Sequence, residues 1–152
     1  MIHRSKTLAA WLALLLGAFG AHRFYLYGWA DRLAWLYLPP TLLGLWGVWR
    51  MRELGQDDHL AWLLIPLLGL ALSAAMLAAI VLALTADEKW AVRHNPGHEV
   101  VSTGWGAVLA AIAALALGGA VLMGTIAFGL QKLFEWQLEP SPEPQKISWL
   151  NQ

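Results

Sequence analysis

The sequence contains no cysteine. That absence removes disulfides, thiolate zinc sites, iron–sulfur clusters and cysteine nucleophiles together, and leaves the redox compartment open. Charge is scarce too: Asp, Glu, Lys and Arg make up 13% of the chain, about half the roughly 25% of average soluble proteins. Ten Lys/Arg balance ten Asp/Glu, so there is no basic face for nucleic acid. A Gly-rich phosphate loop, a strand-to-helix serine elbow and paired carboxylates in a pocket-like setting are also missing. Ser5, Ser73, Ser102, Ser141 and Ser148 have no visible base partner. These gaps give no support to an enzyme or to a bound cofactor.

What the chain has is apolar surface. Hydrophobic residues are 59% of its 152 positions, ten of them Trp, and the mean hydropathy is +0.53. Such a composition excludes disorder and predicts a small integral membrane protein. Leu60 to Thr85 and Gly104 to Leu130 carry no charge, and each exceeds the roughly 20 residues a helix needs to cross a hydrocarbon core of about 30 Å. Thr7 to Ala21 and Leu33 to Trp49 are shorter, with flanking Trp and Tyr that suit the interfaces. Pro39 and Pro40 predict a kink or broken start in the second of these. Four such spans predict an all-α protein of two antiparallel transmembrane hairpins.

Arg4, Lys6, the Leu8–Leu16 core and the Ala18/Gly20 pair also mimic a secretory signal. The linkers are short. Asp57 and Asp58 precede a helix start, where a carboxylate can cap free amides, and Ala86 to Thr103 reads as the longest loop. From Gln131 on, Leu130, Leu133, Phe134 and Leu138 form a stripe suited to the membrane surface, before Pro140, Pro142 and Pro144 stop any helix. The expected divisions are 1–50, 51–130 and 131–152. Four crossings place both termini on one side, and six basic residues there against four opposite lean toward the cytoplasm of a cell membrane.

Two stripes of small residues stand out: Ala71, Ala75, Ala79 and Ala83, then Gly106, Ala110, Ala114 and Gly118. In lipid, helices associate by close backbone approach at such residues, so the stripes predict the packing faces of an antiparallel pair. The two long spans have no ionisable residue, which argues against a proton relay or a charge-coupled transporter. His94 and His98, beside Glu99, are the one candidate metal pair, but Asn95-Pro96-Gly97 between them signals a turn.

The most specific run is Gly17-Ala18-Phe19-Gly20-Ala21-His22-Arg23-Phe24-Tyr25-Leu26-Tyr27-Gly28. With Lys6-Thr7-Leu8-Ala9-Ala10 before it and Gly44-Leu45-Trp46-Gly47-Val48-Trp49 after it, residues 4 to 50 resemble the TM2 domain family, a two-helix membrane hairpin. The resemblance implies that Thr7–Ala21 is a retained span and that His22, Arg23, Phe24 and Tyr25 form the family's connecting turn. Tyr27 falls where bacterial members usually have Gly, Arg50 stands near where many members carry Asp, and the second hairpin has no counterpart. Members share no established activity, and animal members place this loop in the cytosol, against the charge count. Read from the residues, Arg23 reaches lipid phosphate or turn-closing carbonyls, with Phe24 and Tyr25 as interfacial anchors. The turn is either a rigid connection or a docking site for a lipid or partner protein. The expected role is a non-enzymatic membrane component whose partners are the bilayer and a second copy or another membrane protein. The alternative is a small oligomeric channel or carrier for uncharged or lipid-like solutes.

Overall fold

A computed structural model of the chain describes residues 3–138. Every regular element among them is helical: α1 (Lys6–Leu16), a 3-10 turn (Gly17–Phe19), α2 (Ala21–Tyr27), α3 (Arg32–Trp35), α4 (Leu38–Leu54), α5 (His59–Leu84), α6 (Asp87–His94) and α7 (Trp105–Leu138). The helix ends follow local chemistry. The Ser5 hydroxyl accepts from the Leu8 amide to start α1, and Pro39 and Pro40 occupy the first turn of α4, where missing amides go unneeded. Inside α5 and α7 the hydroxyls of Ser73 and Thr125 donate to the carbonyls of Gly69 and Val121, four residues back. Each of these two hydroxyls is satisfied within its own helix.

α5 is the axis. Ala71, Ala75, Ala79 and Ala83 are all buried, and on α7 so are Ala110 and Ala114, with Gly106 and Gly118 half-buried. Ala83 clusters with Ala107 and Ala110, Ala79 with Ala114, and an added methyl on Gly118 would stand 2.7 Å from the Met76 Cβ. Partner numbers rise on α5 as they fall on α7, so the two helices are antiparallel. α1 lies in the groove between them: Ala10 joins Ala83 and Ala107, Ala13 joins Ala79 and Ala114, and the Trp11 indole donates to the Gly106 carbonyl at 3.1 Å. It therefore runs parallel to α7 and antiparallel to α5. Cβ-sized side chains are what allow three backbones to meet along one seam.

This packing differs from two hairpins of four full crossings. α1 is 11 residues long, about 16 Å, and stops where Gly17 meets Ala75, partway along α5. α4 takes over from there. Its Thr41 hydroxyl reaches the Ala18 carbonyl at 2.6 Å, and Gly44 and Gly47 then press on Leu68 and Leu64. α1 and α4 thus lie end to end along α5, and the excursion between them holds α2 and α3. Among the described residues, only α5 and α7 are long and apolar enough to cross a membrane by themselves. Their outward faces are apolar and uncovered, with Leu63, Leu77, Leu115 and Met123 all more than half exposed.

Three local expectations also change. The stretch expected as a loop after Thr85 contains α6, whose first turn carries Asp87 and Glu88 and whose last carries Arg93 and His94, each sign favouring its helix pole. The stripe expected on the membrane surface is the continuation of α7, which runs unbroken to Leu138. Asp58 sits at the start of α5 but does not cap it with its side chain. Instead it forks onto Arg50 at 2.8 and 3.0 Å. Ala10 and Ala13 of α1 pack directly on α5 and α7. Pro140, Pro142 and Pro144 lie outside the described residues.

The seam makes a directional prediction. A Cβ on Gly44 would lie 2.6 Å from the Leu68 amide nitrogen and 2.8 Å from its Cα, backbone that cannot step aside. Gly44→Ala should therefore lower stability by about 1–3 kcal/mol, the usual range for overpacking. Gly129→Ala, which meets open space, should be neutral or gain up to about 1 kcal/mol from helix propensity. Thermal unfolding in detergent gives both values, and equal effects would contradict the packing.

Candidate functional site

The His-Arg-Phe-Tyr run forms a helix rather than a turn. α2 is bracketed by Gly20 at φ +75° and Gly28 at φ +81°, conformations that side chains disfavour. At Gly20 the space is closed as well, since a Cβ would come within 2.5 Å of the Ala34 carbonyl oxygen. The Gly20 carbonyl in turn accepts from the amides of Arg23 and Phe24, at 2.9 and 3.1 Å. From this pivot α2 folds back along α1. Leu26 packs with Ala9 and Trp90, and the Ser5 amide donates to the Tyr25 hydroxyl oxygen at 2.9 Å.

The four signature side chains do four different things. His22 is buried, edge-on to the Tyr37 ring at 5.5 Å, with Nδ1 lacking a partner among the described residues. Arg23 donates from Nε to the Asp31 carboxylate at 2.7 Å and lies over the Tyr27 ring. The other Asp31 oxygen accepts from the Leu33 amide and so starts α3. Phe24 stacks against Trp29 and Trp35, 5.0 and 5.5 Å away. Tyr25 ties α2 to the chain start, as above. The Arg23 Nε goes to a carboxylate eight residues along, because the α2–α3 reversal brings Asp31 alongside.

Beside Arg23 a groove of about 500 Å³ opens between α2, α4 and α5. Its walls include Leu36, Tyr37, Leu67, Leu70 and Ala74, and Arg23 is the one charged lining residue among the described residues. Behind Tyr37, Thr41 is buried with its hydroxyl within reach of the Ala18 and Tyr37 carbonyls, at 2.6 and 2.8 Å.

A second polar cluster closes the opposite end of α1. Lys6 donates to the Thr85 carbonyl and to Asp87, and Asp87 also accepts from the Thr103 amide and hydroxyl. Arg4 and Asn95 exchange a reciprocal pair of bonds at 2.8 and 3.1 Å, and the Trp90 indole donates to the Arg4 carbonyl. These bonds bind the chain start to α6. His94 packs on Trp90 and Tyr27, while His98 meets His3. The turn between them is present, with Gly97 at φ +82°. No group of three or more His, Asp or Glu suited to a metal occurs among the described residues.

The arrangement defines an all-helical chain with two helices of membrane-crossing length and a glycine-bracketed signature helix folded against them. Residues 3–54 match the TM2 domain family. The match takes in α1 to α4, so a TM2 domain supplies the signature helix and one wall of the groove, and together with α5 and α7 it points to a membrane location. No curated protein and no solved structure matches the chain.

Sequence reasoning singled out neither Tyr37 nor Thr41, and it did not pair Arg23 with Asp31 or Lys6 with Asp87. A usable signal for the first two was present: two hydroxyls flanking Pro39-Pro40 in an otherwise apolar stretch.

Asp87 gives a pH prediction. The hydrogen bond from Lys6, then the Thr103 hydroxyl and amide, hold its carboxyl down at about 2. A folded pKa below the unfolded one stabilises fully above about pH 4, and this is lost as pH falls toward 2. Asp87→Asn should lower the thermal midpoint by a few degrees at pH 7 and show a smaller further loss between pH 4 and pH 2 than the parent. Parallel acid profiles for the two proteins would refute the linkage.

Proposed function

We propose that this chain is a multi-pass cell-membrane protein acting as a non-enzymatic interaction component, with α2 as its docking element. α5 and α7 each cross the bilayer, and α1 and α4, end to end, furnish a third passage. Residues 3 and 138 then lie on opposite sides, in place of the shared side expected from four crossings. Arg4, Lys6, Lys89 and Arg93 gather at one end, and Arg50, Arg52 and Lys132 at the other. That balance gives the amino-terminal end only a slight cytoplasmic preference.

The observation carrying this reading is the aromatic patch around the signature helix. Trp29 is 76% exposed, Trp35 50% and Tyr27 44%, and they are grouped about Phe24 and Arg23 on a backbone fixed by two glycines. Aromatics and Arg on a rigid support are the residue types that anchor interfaces. A second reading, a carrier of uncharged or lipid-like solutes, draws support from the groove beside Arg23.

A photo-crosslinking residue at Trp29 should give one discrete adduct, with a second copy or another membrane protein, and the same residue at Leu115 on α7 should give none. Proteoliposomes should show no glycerol flux above protein-free controls. Diffuse labelling at Trp29 together with measurable flux would replace the interaction role with the carrier.

A further inference from the structure

The stretch from Trp29 to Leu36 is short of partners. Trp29, Leu33, Trp35 and Leu36 are each half exposed or more, and Arg32 among them is exposed as well. Arg32 opens α3 directly after Asp31. Among the described residues its side chain has neither an acceptor nor a counter-charge. The carboxylate next to it pairs with Arg23 and accepts from the Leu33 amide, yet 14% of the Asp31 side chain remains exposed.

The level of this stretch decides what can cover it. Gly17 meets Ala75 inside α5, and Gly20 lies under the Ala34 carbonyl of α3. α3 therefore stands beside interior turns of α5, not beside its ends. Where α5 crosses a bilayer, an unpartnered cation at that level is costly. Short interrupted helices are tolerated there only where protein or a water-filled cavity covers them. Lipid tails offer Arg32 neither an acceptor nor a counter-charge, so the cover this face requires is protein. The matching surface has a carboxylate for Arg32 and apolar area for the exposed indoles. The same stretch of this chain carries both, since Asp31 and Arg32 are neighbours of opposite sign. Two copies inserted in one orientation and related by a two-fold axis present each member of that pair to the other. A carboxylate accepts from several donors at once, so Asp31 can keep Arg23 and still receive a second guanidinium.

We infer that the chain pairs with a second copy of itself through the α2–α3 face, Arg32 of each copy meeting Asp31 of the other around a centre of Trp29 and Trp35. Tryptophan and arginine are the residue types enriched at the centre of such contacts. The inference rests on the docking role proposed above and names its partner.

The chain has no cysteine, so a single introduced one reports on its own image. Full-length Trp29→Cys in phosphatidylcholine vesicles at high lipid excess, oxidised with copper phenanthroline, should form a disulfide-linked dimer and nothing larger. A disulfide joins only residues whose Cα atoms come within about 7 Å, so Leu115→Cys, on the outward face of α7, should stay monomeric. Leu33→Cys on α3 should give the same dimer and serves should Trp29→Cys not fold. Adding Arg32→Gln to either cysteine variant should lower the dimer yield about tenfold, the effect of losing close charge pairs across an interface. The thermal midpoint of the monomer should not move, because Arg32 makes no ion pair within its own chain. Arg32→Lys keeps the charge and should retain most of the yield. Equal dimer yield at positions 29 and 115, or a yield indifferent to Arg32→Gln, overturns the assignment. If both α2–α3 cysteines stay monomeric while the photo-crosslinker at Trp29 gives a discrete adduct of another mass, self-pairing falls and the docking role stands. No adduct by either route removes both.

Discussion

Everything in this structure depends on how closely three backbones approach along α5. Lipid tails are as apolar as leucine, so burial of apolar surface does not favour a helix neighbour over lipid. Contact at alanine and glycine does, through many small dispersion gains over closely matched surfaces. Ala75, Ala79 and Ala83 let α1 and α7 settle on the same helix at nearly the same level, with Ala10, Ala13, Ala110 and Ala114 facing them. The polar clusters at either end of α1 are positioned by that seam. Lys6 meets Asp87, and Gly17 meets Ala75, only because the alanines between them bring the helices into contact.

The signature helix exists because α1 stops early. A helix long enough to cross would carry residues 20 to 28 out of the membrane region. Here Gly20 reverses the chain, and α2 returns beside α1 until Leu26 reaches Ala9 and Trp90. The reversal places Arg23 beside the middle of α5, where its Nε pairs with Asp31. One short helix therefore combines a structural pivot, a buried His22, an aromatic outer face and an ion-paired Arg23.

The legible parts of the sequence were those encoded by local periodicity. The two small-residue stripes, the proline start of α4 and the Asn95-Pro96-Gly97 turn are each read within a few residues, and the structure places them accordingly. The half-length of α1 was not legible. Hydropathy records that Thr7 to Ala21 is apolar, and it is, but apolarity does not say whether a segment crosses or turns back partway. The deciding contacts, Gly17 on Ala75 and Gly20 under the Ala34 carbonyl, are steric and mostly long-range. The same holds for Lys6 and Asp87, 81 residues apart, and for Arg50, which takes the carboxylate that would otherwise cap α5. At the site, residue types were visible in the sequence, while the helical form of the signature and the role of Tyr37 came from tertiary packing.

The joint between α1 and α4 has a consequence for biosynthesis. A segment of 11 residues, about 16 Å, is roughly half a hydrocarbon core of about 30 Å. It presents no complete crossing to the insertion machinery as it emerges, and the polar residues of α2 and α3 follow it directly. Under the proposed membrane arrangement, the amino-terminal third would rest on the alanines of α5, a helix made after it.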